Sequence, residues 1–412
     1  MRVLVIGGSS VSTPALLHNL STFASYATVE VILAGRREKR LEAVTRAAQL
    51  LTRNTPQLVI RSVSLDSELC DEEMSCADLI LVQVRVGGFD ARIADGALAD
   101  RFGTPGDQEI GPAAVSAAWR TWPFLKRLLS RITLATSRAV VLILTSPVGL
   151  LVRLASIEFP TLTTFGICEA PWTTIIDVCT LLGVSPFSVS FQYLGLSHFS
   201  CFTSMSASGR DLIEEYFATS RIDTREMKLF WGIPTAPTLH CIRSIEGHSD
   251  RRWKHRGLHL KEFAREAFGI YLTGDTRQID ACLGARQTPW YSLAIAPFVR
   301  GMLGLPVDHP VFLSAPASRP ELDAWGIVEK PYYFREGTLK TTDSSLPKNL
   351  RPILAALMAF ERSASQAILD ANIDRLATAI EGHPWFTVKN DTRTLAQEIQ
   401  RTAATAWQAS HD

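Results

Sequence analysis

The chain has 412 residues, with 42 Lys and Arg against 41 Asp and Glu and a net charge of +1. Near-neutrality supplies no global basic field for nucleic acid, and the length exceeds one ordinary hydrophobic core, so two lobes are expected. The longest apolar stretch, Ala139 to Leu151, is broken by Ser146-Pro147 and soon followed by Arg153, too short for a membrane span.

At the N-terminus RVLVIGG is an apolar run that turns directly into glycines, followed by the helix-like TPALLHNLSTFA. This reads as strand, turn and helix. Gly7 and Gly8 allow backbone to approach a pyrophosphate, Ser9 and Ser10 offer hydroxyls, and Thr13-Pro14 suits a helix start. The same residues also fit an ordinary buried strand with a tight turn, because only two glycines of a G-x-G-x-x-G pattern occur. A strand that runs straight into a glycine turn is not a signal peptide, and cytoplasm is the expected compartment.

The next unit, VEVILAGRREKRL, places Gly35, Arg36 and Arg37 where an NAD-selective fold sets a carboxylate for the ribose 2′-hydroxyl. A guanidinium holds a 2′-phosphate that a carboxylate would repel, so the residues favour NADP(H) over NAD(H). Further runs follow at QLVIRSVSL, ADLILVQVRVGG, AVVLILTSP and TTFGICEAP, separated by amphipathic stretches. Strands alternating with helices imply a Rossmann-type, doubly wound parallel sheet, with ligands at the carboxyl ends of the strands. We expect a dinucleotide-binding domain over residues 1–195 and a mixed α/β domain for substrate, metal and oligomerisation over 196–412.

Seven cysteines lie at 70, 76, 168, 179, 201, 241 and 282, without paired metal-knuckle spacing. Cys179, within DVCTLLG, reads as a small core residue. Cys168 directly follows a strand at the predicted ligand edge, and His198 ends another strand-like run, FQYLGLSHFS. A thiolate and an imidazole from two strand ends can bind a borderline divalent cation; equally, each can be a core residue. Arg251 to Lys261, RRWKHRGLHLK, is a basic run that suits either a sugar phosphate or a solvated loop. From Leu346 to His383 the pattern is helical and reads as a packing helix over the sheet or at a subunit interface.

The succession IGGSSVSTP, RVGGFDAR, TSPVG, GICEAP, GLSH and ARQTPWYS resembles glycoside hydrolase family 4, the nicotinamide- and metal-dependent glycosidases that include 6-phospho-β-glucosidases and α-glucosidase-like members. The resemblance runs from Arg2 to about Val311. It implies a fold like lactate and malate dehydrogenases, followed by a domain that completes the site. It further implies hydrolysis of a glycoside, phosphorylated or free, through nicotinamide oxidation at C3, metal-assisted elimination across C1 and C2, and water addition.

Carried over residue by residue, the resemblance makes Cys168 and His198 ligands of manganese or another divalent metal. It makes Glu169 an acid for the leaving oxygen and sets Gly7, Gly8, Ser9, Ser10, Arg36, Arg37, Arg85 and Gly87 around NAD(P). Arg92, Ser146 and Arg286 become substrate contacts, with Asp95 and Glu109 as further site-lining acids. The partners implied are a small glycoside and further copies of the chain in a homo-oligomer, with no nucleic acid and no membrane.

Three positions differ from the family pattern. Ser146-Pro147 stands for Asn-Pro, Ala113-Ala114 for a glycine pair, and GIPTAPTLHCIRS holds no tyrosine where relatives keep the general base. His240 is the expected substitute base, since its ordinary pKa suits proton abstraction near neutrality, with Tyr271 and Tyr291 as other candidates. The alternative functions are a catalytically weakened NAD(P)-binding regulatory relative and a sugar dehydrogenase without the hydrolytic step.

Overall fold

The computed structural model describes residues 1–220, 232–245, 252–317, 326–342, 350–384, 386–388 and 391–408. Its first half alternates β1 (Arg2–Ile6), α1 (Thr13–Ala24), β2 (Val29–Gly35), α2 (Glu38–Thr52), β3 (Leu58–Ser64), α3 (Glu68–Cys76), β4 (Leu79–Val82), α4 (Gly88–Phe102), α5 (Gly111–Ala135), β5 (Val140–Ile143), α6 (Val148–Glu158), β6 (Thr164–Ile167) and α7 (Ala170–Leu182). These strands pair in parallel in the order β3-β2-β1-β4-β5-β6. β1, β2, β4 and β5 are almost wholly buried, which is why their sequences are continuous apolar runs; β3, at the edge, alternates buried and exposed residues.

The chain then turns antiparallel with β7 (Ser190–Leu196), β8 (Phe199–Ala207), β9 (Arg210–Asp211), α8 (Leu212–Thr219), β10 (Ile233–Pro234), α9 (Ala236–Ile245), α10 (Arg252–Thr273), β11 (Val311–Pro316), β12 (Ile327–Arg335) and β13 (Thr338–Thr341). β11 pairs with β6 through Leu313 and Ile167, so the parallel and antiparallel parts share one 13-stranded sheet. The expected division after residue 195 falls inside β7. Instead of two lobes with separate cores, one apolar cluster covers each face of the parallel strands, and two smaller clusters lie in the antiparallel part.

The helical pattern ending at His383 is two helices, Arg351–Leu369 and Ile373–Glu381; residues 346–349 lie outside those described. The break comes at Ala371, with φ of 50°, and at Asn372, whose side chain accepts the Arg375 N–H at 2.9 Å and restarts the helix. No described helix is long and apolar enough to cross a membrane.

Candidate active site

β1 lies between β2 and β4, so the chain order reverses there and a crevice opens at the strands' carboxyl ends. A cleft of about 1080 Å³ occupies it, lined by the ends of β1, β2, β4, β5 and β6 and by α10. Gly7, Ser9, Ser10, Arg36, Arg37, Arg85, Gly87, Arg92, Ser146, Cys168, Glu169, His198 and Arg286 all face it.

Gly8 and His240 are not part of that lining. The Gly7 and Gly8 N–H groups both donate to the Ala34 carbonyl, at 3.0 and 2.8 Å, so they fasten the turn to β2 instead of presenting donors to a phosphate. A Cβ on Gly8 would lie 2.8 Å from Leu33 Cα, so close approach to that strand demands the glycine. On α9, Thr238 is the residue that faces the site hairpin: its hydroxyl donates to the His198 carbonyl at 3.0 Å. Residue 240 lies two positions and about 200° further round the helix.

At the β6 end, Cys168 and His198 both face the cleft and lie within mutual electrostatic range. His198 occupies the turn between β7 and β8, where Leu196 pairs with Phe199, and its φ of 60° is left-handed, a strained conformation of the kind that gathers at functional sites. Its Nδ1 lies 3.4 Å from Asp107 Oδ2. Asp107 in turn accepts the Glu109 N–H at 2.7 Å and the Ile110 N–H at 3.2 Å. Burial disfavours charge on both groups, yet their mutual attraction prevails, raising the imidazole well above its ordinary value and lowering the carboxyl.

Burial also pushes the Cys168 thiol up to about 12, with Glu169 adding to it. A divalent cation would reverse that, because it stabilises a thiolate. Among the described residues no group of three or more His, Cys, Asp or Glu side chains is placed to hold a metal. The donor set therefore fits a cation gripped by one sulfur and one imidazole, with its other positions open to oxygen ligands.

Glu109 is buried beside this pair, accepting the Val148 N–H at 2.6 Å and the Ser197 hydroxyl at 3.4 Å, and burial raises its pKa. Asp95, expected to line the site, is instead locked to Arg120 by two hydrogen bonds of 3.0 and 2.7 Å and lies outside the lining. Arg120 also donates to the Val86 carbonyl at 3.0 Å, so the ion pair fixes the loop after β4. Ala113 and Ala114 are fully buried in α5 and do not reach the cleft. Tyr271 donates to the Val11 carbonyl at 2.7 Å and Tyr291 to Gln83 Oε1 at 2.7 Å, both structural commitments.

The middle of the cleft is cationic. Arg85 and Arg92 both donate to Gln108 Oε1, and Arg256 and Arg286 lie within electrostatic range. Burial, with the neighbouring positive charges, lowers Arg85 to about 10 and Arg92 to about 9. The basic run is thus helical, as part of α10, and brings Arg256 and Lys261 to the cleft; residue 251 and the side chains of 252–255 lie outside the described residues. Sequence reasoning missed Asp107, Gln108 and Arg40. Asp107 sits two residues before Glu109 in the same DQEIGP element, and Arg40 follows Arg36 by one helical turn.

Residues 2–184 match the family model described as family 4 glycosyl hydrolase. Those residues, somewhat under half of the chain, are thus similar to that family. It is 23% identical over 416 residues to the 6-phospho-beta-glucosidase BglT of Thermotoga maritima, covering 97% of each chain. A structure of the Thermotoga maritima 6-phospho-beta glucosidase with manganese, NAD+ and glucose-6-phosphate superposes with a TM-score of 0.84 at 22% identity, over 98% of this chain and 99% of that one. Malate dehydrogenase from Plasmodium falciparum shares the fold with a TM-score of 0.57 at 12% identity, over 90% and 99%.

Proposed function

We propose that this chain is a glycoside hydrolase family 4 member, an NAD(P)- and divalent-metal-dependent glycosidase that cleaves an O-glycosyl bond of a 6-phosphorylated sugar. The observation that carries the reading is the meeting of Cys168 with His198 in the same cleft as the β1 turn. Four arginines crowded between those two ends suit a dianionic substrate. The relatives named above are 6-phospho-glucosidases, one with manganese, NAD+ and glucose-6-phosphate bound.

When bound, the nicotinamide exchanges a hydride with C3 of the sugar, and the cation at Cys168 and His198 stabilises negative charge on the C2 and C3 oxygens. Asp107 fixes the tautomer and orientation of His198, leaving its other ring nitrogen for a ligand. Glu169, next to Cys168 on the cleft wall, is placed to hand a proton to the leaving oxygen. Ser146 lines the cleft and offers a hydroxyl in place of the family's asparagine. Arg85, Arg92, Arg256 and Arg286 bind the phosphate. Homo-oligomerisation belongs to the same reading and is measured by sedimentation.

The test is manganese- and dinucleotide-dependent release of nitrophenol from phosphorylated and free glycosides, followed in D2O. Hydrolysis by elimination and addition leaves deuterium at C2 of the product; direct displacement leaves none. A second reading, a sugar dehydrogenase, is favoured by one observation: among the described residues the cleft's tyrosine is Tyr291, whose hydroxyl is committed to Gln83. Build-up of reduced cofactor without nitrophenol would identify it.

A further inference from the structure

We propose that Arg36, Arg37 and Arg40 form a binding site for the 2′-phosphate of NADP(H), so that this chain selects the phosphorylated dinucleotide. The inference rests on the dinucleotide-dependent reading above and specifies its cofactor.

The position that ends β2 leaves little room for the residue NAD selection requires. A Cβ on Gly35 would stand 3.1 Å from Ser9 Oγ, 3.2 Å from Ser9 Cβ and 3.3 Å from Leu41 Cδ1, so a carboxylate there would fit only if the Ser9 and Leu41 side chains gave way by a few tenths of an ångström. Immediately beyond, Arg36, Arg37 and Arg40 line the cleft, whereas Glu38 does not.

Two of the three are held in place by aromatic rings. The Arg36 guanidinium lies 5.9 Å from the Phe124 centroid and that of Arg40 lies 5.0 Å from Phe268. No carboxylate of the described residues pairs with any of the three. Arginines with a structural task are treated differently nearby: Arg2 and Arg61 are both paired with Glu30 and Glu73. Three cations that line the cleft without a carboxylate partner among the described residues, at the sheet position that meets the ribose, match a phosphate dianion in charge.

Equilibrium binding of NADP+ and NAD+ to the full chain, with 2′-AMP and 5′-AMP as competing fragments, tests the site without reference to turnover. Expected are a preference for NADP+ of about tenfold or more and stronger competition by 2′-AMP than by 5′-AMP. The exposed triple substitution Arg36→Ser, Arg37→Ser and Arg40→Ser should erase that preference while NAD+ affinity stays within about twofold; Arg40→Ser alone should remove part of it. Equal or tighter binding of NAD+ by the native chain overturns the proposal and leaves the dinucleotide-dependent reading standing. A parallel loss of both cofactors in the variants also overturns it. If neither dinucleotide binds, both fall.

Discussion

The two ends of the cleft solve opposite problems. At the β2 end, the arginines are exposed, and two of them, Arg36 and Arg40, rest their guanidinium groups against aromatic rings. At the β6 end, a buried thiol, an imidazole and carboxyls titrate one another, and Asp107, Glu109 and Cys168 are fastened by hydrogen bonds from neighbouring backbone. A change at the exposed end should therefore alter one affinity, whereas a change at the buried end should spread.

The wall joining the two ends gives the largest expected effect. Arg120→Met leaves Asp95 buried with Ser116 as a remaining donor, and should cost about 3–5 kcal/mol of stability by urea titration. His198→Ala should lower turnover about 10³-fold, about 4 kcal/mol, with dinucleotide affinity nearly unchanged; coupled loss of both would erase the contrast between the ends. Asp107→Asn keeps the shape but weakens the hold on His198, so manganese affinity should fall about 10–100-fold in a calorimetric titration.

The smallest effect lies behind the site. Burial lowers His383 to about 3 from an ordinary value of 6.5, and its ring stacks on Phe386 at 3.7 Å. Between those values the unfolded chain binds a proton that the folded chain refuses. The contribution of His383 is then complete above pH 6.5 and declines by about 1.4 kcal/mol per unit as pH falls towards 3. Urea midpoints from pH 7 to pH 5 should fall, and His383→Phe should flatten that slope.

The parallel half was legible because its strands are buried on both faces and each carries an unbroken apolar run that stops at its ligand end. Cys168 and His198 were legible as strand-end residues, but their meeting depends on β11 and β12 inserting between β6 and β7, a long-range pairing with no local sequence signal. The same ordering hid Asp107, whose partner lies 91 residues away. His240 misled because composition marks a residue as chemically able, while helix phase decides which way it faces; Thr238 took the side that meets the hairpin. Asp95 misled for a related reason, since a buried acid near a cleft reads the same whether it serves a ligand or an arginine.

Because β6 hydrogen-bonds directly to β11, the parallel part of the sheet is not a portable module. A fragment cut near residue 190 would strip β6 of its neighbour and expose a run of unpaired amide and carbonyl groups, an invitation to intermolecular strand pairing. Recombinant truncation at that point should yield aggregates, and heating the intact chain should give one calorimetric peak.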